Sequence, residues 1–290
     1  MSPLDLWRRN PLQKILDTER RMREGAPRTA RVVSIASGKG GTGKSVLATN
    51  LAVLRAQRGE RVLLVDFDAG LANDHLLLGL APSFDLGHVA EGRVGVGDAL
   101  VEGPCGMRLL SGGVGRHGLA NPTRRELERL FKALRPLEDE FDLILVDHGA
   151  GIAYSTLAHL AAATALIVVT SHEITGLSDA YALYKRGRMV NPELKVGMVF
   201  NRVPDVAAAD SAWERFSGAC KRFLGDVPTR IGTVPADSAV SESVDARVPV
   251  CVFAPGSRAA RGLTEVSRWP QIDIARSVTA FYERASRALR

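Results

Sequence analysis

The sequence predicts an α/β protein, a doubly wound and mainly parallel sheet with helices on both faces. Three observations predict it. Short apolar, β-branched runs recur along the chain, and stretches of helical length separate most of them, the order that builds a parallel sheet covered on both sides. Polar residues gather at the carboxyl ends of those runs, where ligands sit in such sheets. A glycine-rich loop, Ser37-Gly-Lys-Gly-Gly-Thr-Gly-Lys-Ser45, follows the first run at once.

Taken in order, residues 1–30 form a basic extension in which Pro11 to Arg20 predicts an amphipathic helix. Arg31 to Ser37 is the first strand. Ser45 to Arg58 has helical spacing and stops before Gly59. Arg61–Asp66, Asp142–Asp147, Ala165–Thr170, Lys195–Asn201 and Thr229–Val234 supply further strands, so residues 31–270 read as one domain. Residues 271–290 predict an amphipathic helix: Ile274, Val278, Phe281, Tyr282, Ala285 and Leu289 share a face, while Arg276, Arg284, Arg287 and Arg290 lie elsewhere. That stripe either closes the core as the last helix or lies on an anionic membrane surface.

Composition narrows the class. With 290 residues, 46% of them hydrophobic, the chain can bury a full core. Its most apolar run, Leu157 to Val169, is too short to cross a bilayer. Cys105, Cys220 and Cys251 are scattered without C-x-x-C spacing, which argues against a disulfide framework or a zinc site and for a cytoplasmic protein. The formal net charge of +6 is uneven: residues 1–31 hold eight Lys/Arg against four Asp/Glu, and 257–290 hold seven against three, leaving −2 for the middle. Basic ends suit an acidic surface, whether lipid, nucleic acid or an acidic partner, or are simply solvated helices rich in arginine.

The loop fits G-x-x-x-x-G-K-[ST], with Gly38 through Gly43, Lys44 and Ser45. Around Gly38, Gly40, Gly41, Thr42 and Gly43 the backbone N–H groups can close on phosphates; Lys44 reaches the β/γ-phosphates and the Ser45 hydroxyl binds magnesium. Asp147 closes an apolar strand and is the natural carboxylate for the same ion, through water. Lys39 is surplus to that pattern.

SGKGGTGKS resembles the deviant phosphate loop K-G-G-x-G-K-[ST] of the MinD/ParA class of P-loop ATPases. VDFDAGLAND (Val65–Asp74) is similar to the first switch of MinD and LVDHGAGI (Leu145–Ile152) to the second. Ser178–Lys185, Val199–Val203 and Val234–Val244 look closer to the FlhG type, the flagellar-number regulators. The similarity covers roughly residues 31 to 262.

The resemblance implies ATP and Mg2+ as cofactors, slow hydrolysis raised by a partner, and a homodimer sandwiching ATP. Lys39 would reach the phosphates held by the other subunit, a cation supplied in trans to the transferring group. Asp68 would orient the attacking water, and Asp66 would lie near the metal with Ser45 and Asp147. Asn73 would be a switch residue, and Asn201 and Pro235 would flank the adenine. The class implies a switch that positions or counts a cellular structure such as flagella. It also implies a regulatory partner such as an FlhF-like GTPase, and a C-terminal helix touching the inner face of the cell membrane.

Two departures stand out. His148 occupies a place where the family usually has serine or threonine, and the N-terminus lacks the Asp-Gln-Ala motif of many FlhG proteins. A ParA-like ATPase partitioning DNA is the alternative, with salt-dependent binding of nonspecific DNA, but the chain shows no added DNA-reading domain. An iron–sulfur reductase on this fold needs cysteines that bridge a dimer, and it is excluded because only Cys105 is remotely placed and the residue directly after Asp147 is His148, not cysteine. A tyrosine kinase of the class would end in a tyrosine cluster, and Tyr282 stands alone. The switch sequences do not favour a metabolic amidoligase.

Overall fold

The strands are β1 (Arg31–Ala36), β2 (Val62–Phe67), β3 (Leu100–Glu102), β4 (Arg108–Leu110), β5 (Leu143–His148), β6 (Ala165–Thr170), β7 (Lys195–Val203) and β8 (Thr229–Pro235). They come from a computed structural model that describes residues 29–68, 72–113, 122–274 and 280–289. They form one sheet in the order β3-β4-β2-β5-β1-β6-β7-β8. Only β3 and β4 pair antiparallel; the other neighbours are parallel.

In chain order the helices are α1 (Lys44–Ala56), α2 (Asp74–Leu77), α3 (Leu86–Ala90), α4 (Arg124–Leu134), α5 (Leu137–Glu140), α6 (Tyr154–Ala162) and α7 (Ile174–Val190). After them come α8 (Val206–Leu224), α9 (Ser238–Asp245), α10 (Val250–Phe253), α11 (Arg258–Val266), α12 (Pro270–Ile274) and α13 (Phe281–Ala288).

Successive side chains of a strand point to opposite faces, and β1 shows the result. Val33 and Ile35 join Leu47 and Leu51 of α1 and Leu263 and Val266 of α11 in one core. Val32 and Ala36 join Phe131 of α4, Leu160 of α6, Leu183 of α7 and Phe216 of α8 in the other. The chain builds one half of the sheet through β2 to β4, returns as β5 between β2 and β1, then crosses to β6 on the far side of β1. Direction changes beside β1, so the crevice at its carboxyl end is where a ligand belongs.

The predicted doubly wound, mainly parallel fold is the one found. Two strands, β3 and β4, were not anticipated: at three residues each they are too short for an alternating pattern to show.

The C-terminal expectation needs correction. The predicted helix over 271–290 is interrupted, because Ala280 is extended (φ −52°, ψ 141°) and α13 starts only at Phe281. The Glu138 carboxylate fixes that start, accepting the N–H of Phe281 at 2.7 Å and of Tyr282 at 2.9 Å; a carboxylate there satisfies unpaired N–H groups and complements the helix dipole. Phe281, Tyr282, Ala285 and Leu289 are buried in the core that holds α4 and α6, with the Tyr282 ring 5.7 Å from that of Phe131. Burying rings of this size stabilises by about 1.5–3 kcal/mol each. Of the two alternatives for the stripe, closing the core or lying on a membrane surface, these four residues take the first. Arg276, Val278 and Arg290 lie outside the described residues, as does the N-terminal helix expected over Pro11 to Arg20. No helix among the described residues is long and apolar enough to cross a membrane.

Candidate functional site

The loop between β1 and α1 is bent by glycines. Gly43, the residue before α1, has φ 83°, a left-handed conformation that side chains rarely adopt. A Cβ there would also lie 2.3 Å from Asn201 Nδ2, and one on Gly38 would lie 2.3 Å from the Asp179 carbonyl oxygen. A Cβ on Gly40 or Gly41 would meet nothing within 4 Å, so that side of the loop is open.

From β7, Asn201 Nδ2 donates to Thr42 O at 2.7 Å and Arg202 to Gly41 O at 3.0 Å. The register of β7 on β8 slips between Asn201 and Val203, and Arg202 takes φ 57°. This bulge turns both side chains onto the loop. Asn201 thus braces the phosphate loop, while Pro235 ends β8 opposite Val203.

No side chain caps the start of α1, so its first N–H groups, which have no partner within the helix, are available to an anion. The Thr42 hydroxyl is buried without a partner in the same loop. These features fit a bound phosphate group.

Beneath the loop, Lys44 Nζ donates to Asp147 Oδ1 at 2.6 Å and Ser45 Oγ to Asp147 Oδ2 at 2.6 Å. Sheet register explains the neighbours: Asp66 of β2 is paired with Asp147 of β5, which places both carboxylates at one end of adjacent strands. Oxygens of Asp66, Asp74 and Asp147 lie within 4.8 Å of one another, and all three residues are buried. Carboxylates with a serine hydroxyl make the hard oxygen set that Mg2+ takes, so Ser45, Asp66 and Asp147 fit the metal expected of them.

Charge is concentrated here. Burial works against the Lys44 ammonium, but Asp147, with Asp74 and Asp66 behind it, outweighs that and raises its pKa. Burial, and then the Asp147 charge, pushes Asp66 up to about 7. Burial and the Asp66 charge push Asp74 well above the ordinary carboxylate range.

Asp68 sits at the rim, half-buried, with its N–H donating to Asp66 Oδ1 at 3.0 Å. Lys39 stands outside, its side chain 44% exposed, with Nζ 3.3 Å from Thr175 Oγ1 and 3.7 Å from Glu173 Oε2 at the start of α7. Lys44, Ser45, Asp66 and Asp147 are therefore brought together, Asp68 borders them, and Lys39 is held away from them on its own subunit. Asn73 is exposed.

His148 is wholly buried, with neither ring nitrogen hydrogen-bonded and its ring centroid 4.8 Å from that of His159. Burial drives its pKa well below the ordinary value, so near neutral pH it is an uncharged ring packed at the end of β5. Sequence reasoning missed Asp74 and Arg202. An acidic residue opening a helix reads as a dipole partner, and a bulge leaves no mark in a strand pattern.

A family model, the CobQ/CobB/MinD/ParA nucleotide binding domain, matches residues 33–250. The antiactivator FleN of Pseudomonas aeruginosa is 30% identical over 250 residues, covering 85% of this chain and 89% of FleN. The flagellum site-determining protein YlxH of Helicobacter pylori is 26% identical over 238 residues, covering 82% of this chain and 80% of YlxH. Among solved structures, the septum site-determining protein MinD of Pyrococcus horikoshii, complexed with Mg-ADP, superposes with a TM-score of 0.67 at 27% identity, covering 82% of this chain and 94% of MinD. The chain belongs to the CobQ/CobB/MinD/ParA nucleotide-binding family and, within it, to the MinD/ParA class with relatives of the FlhG type.

Proposed function

We propose that this chain is a magnesium-dependent ATPase that dimerises on ATP and uses partner-stimulated hydrolysis to position or count a cellular structure, flagella being the one that the relatives' names favour. The observation that carries the reading is one loop with two differently placed lysines. Lys44 is buried on Asp147 beside Ser45, and Lys39 is exposed on the outer side.

In this reading Lys44 exchanges Asp147 for the β/γ-phosphate oxygens. Asp147, Asp66 and the Ser45 hydroxyl would then hold Mg2+, which would supply neutralisation of the phosphate charge. The first N–H groups of α1 and the backbone from Gly38 to Gly43 cradle the phosphates, and Asn201 keeps that cradle in shape. Asp68, at the rim, orients the attacking water. No nucleophilic side chain is required, because phosphoryl transfer to water depends on positioning and charge stabilisation. Lys39 leaves Glu173 and Thr175 to contact the phosphates of the other subunit.

Phosphate release from ATP tests the chemistry. Wild-type protein should turn over with Mg2+ and stop with EDTA, and Lys44→Ala should lower activity by at least about a hundredfold. Turnover unchanged in Lys44→Ala would overturn the assignment.

A further inference from the structure

Asp74 does not fit the role its position suggests. It opens α2, where an acidic residue would normally sit in solvent near the helix dipole, yet it is 0% exposed and neither carboxylate oxygen has a hydrogen-bond partner. Its own N–H donates to Asp66 Oδ2 at 3.3 Å, which ties the start of α2 to the end of β2. A carboxylate oxygen of Asp74 lies within 4.8 Å of oxygens from Asp66 and Asp147. A buried carboxylate without partners is costly unless paired or bound to a metal. Lys44, the nearby cation, is engaged with Asp147 at 2.6 Å.

We propose that Asp74 is a third carboxylate ligand of the divalent-cation pocket, so that this chain binds the cation before any nucleotide arrives. The proposal deepens the ATPase reading and rests on its metal site. The charge balance supports it: with all three carboxylates ionised, they and one ammonium leave two negative charges, which a single divalent ion cancels; its binding would favour that ionised state. The chemistry supports it too. Two carboxylates usually suffice for Mg2+, which keeps its waters and relies on substrate phosphates, whereas a third carboxylate gives a protein-only site. Ca2+, which takes more protein oxygens than Mg2+ does, should therefore compete well against Mg2+.

The test uses the full chain, freed of nucleotide and metal with EDTA and titrated with Mn2+ while paramagnetic resonance follows the free ion. Wild-type protein should bind one Mn2+ per chain without nucleotide, and Asp74→Asn should weaken it at least about tenfold. Circular dichroism checks that the variant is folded. If Asp74→Asn does not fold, Asp74→Leu, which removes the charge and both oxygens, serves the same comparison, and the wild-type titration decides alone. Wild-type protein that takes up no Mn2+ without nucleotide, or an Asp74 variant that binds Mn2+ as wild type does, overturns the proposal. Binding of a fluorescent ATP analogue with Mg2+ is measured in parallel. Analogue bound without Mn2+ uptake sinks the cation proposal alone, and Mn2+ uptake without analogue binding sinks the ATPase reading alone.

Discussion

Two buried acids show how a satisfied site differs from a waiting one. Glu138 lies under the C-terminal helix, and its carboxylate accepts two N–H bonds at 2.7 and 2.9 Å from the first turn of α13. Asp74 lies under the phosphate loop at equal burial, and its carboxylate accepts none. Burial raises the pKa of both. In Glu138 hydrogen bonds oppose the rise, whereas around Asp74 the charges of Asp66 and Asp147 add to it. The first arrangement locks a helix; the second stores a demand for positive charge. Buried polar groups are ordinarily paired, so the unpaired one marks where something binds.

The largest effect expected on the waiting side is at Asp68. Asp68→Ala should keep ATP affinity within a fewfold of wild type and lower turnover by about 100-fold or more, because in the proposed mechanism the lost carboxylate serves the water. Isothermal titration with a non-hydrolysable analogue, set beside phosphate release, separates the two effects. A variant that hydrolyses at the wild-type rate removes Asp68 from the mechanism.

On the locked side, Glu138→Gln exchanges a charged acceptor of two N–H bonds for a neutral amide. It should destabilise the fold by about 1.5–3 kcal/mol in urea melts and leave nucleotide affinity unchanged. A loss of ATP binding without a loss of stability would mean that α13 belongs to the site and would dissolve the contrast.

A smaller effect comes from pH. Asp66 in the folded protein titrates at about 7 against an ordinary 3.8. A raised carboxylate favours the native state while protonated, so its contribution is complete below about pH 4 and is lost as pH rises through about 7. Metal-free Asp66→Asn should therefore gain on wild type in melting temperature, by a few degrees, between about pH 5 and pH 8. Buried His148 and His159 work in the opposite direction in both proteins, since their lowered pKa values disfavour folding as pH falls, and they cancel in the comparison. Saturating Mn2+ should flatten the difference. Parallel melting curves would show that Asp66 is not under charge strain.

How much of this was legible in the sequence follows from length and periodicity. β1, β2, β5, β6 and β7 are runs of six to nine residues that end in a loop or an acid, and they could be read directly, with Asp66 and Asp147 placed correctly at strand ends. β3 and β4 are edge strands of three residues, too brief for an alternating pattern. The stripe through Phe281, Tyr282, Ala285 and Leu289 was legible as a stripe, but periodicity says only that a face is apolar, not what covers it. That information lies in Glu138, more than 140 residues earlier in the chain. Asp74 was hidden for a similar reason. The exposed Asn73 beside it is the residue a family pattern points to, and only the fold turns its neighbour inward.

The central claim is that Lys39 and Lys44 divide one loop between two subunits. Light scattering on the purified chain with Mg2+ tests it most directly. With ADP the mass should be the monomer's 31.2 kDa, and with a non-hydrolysable ATP analogue it should double. Lys39→Ala should hold the analogue and hydrolyse ATP poorly. An identical mass in both nucleotide states would contradict the account.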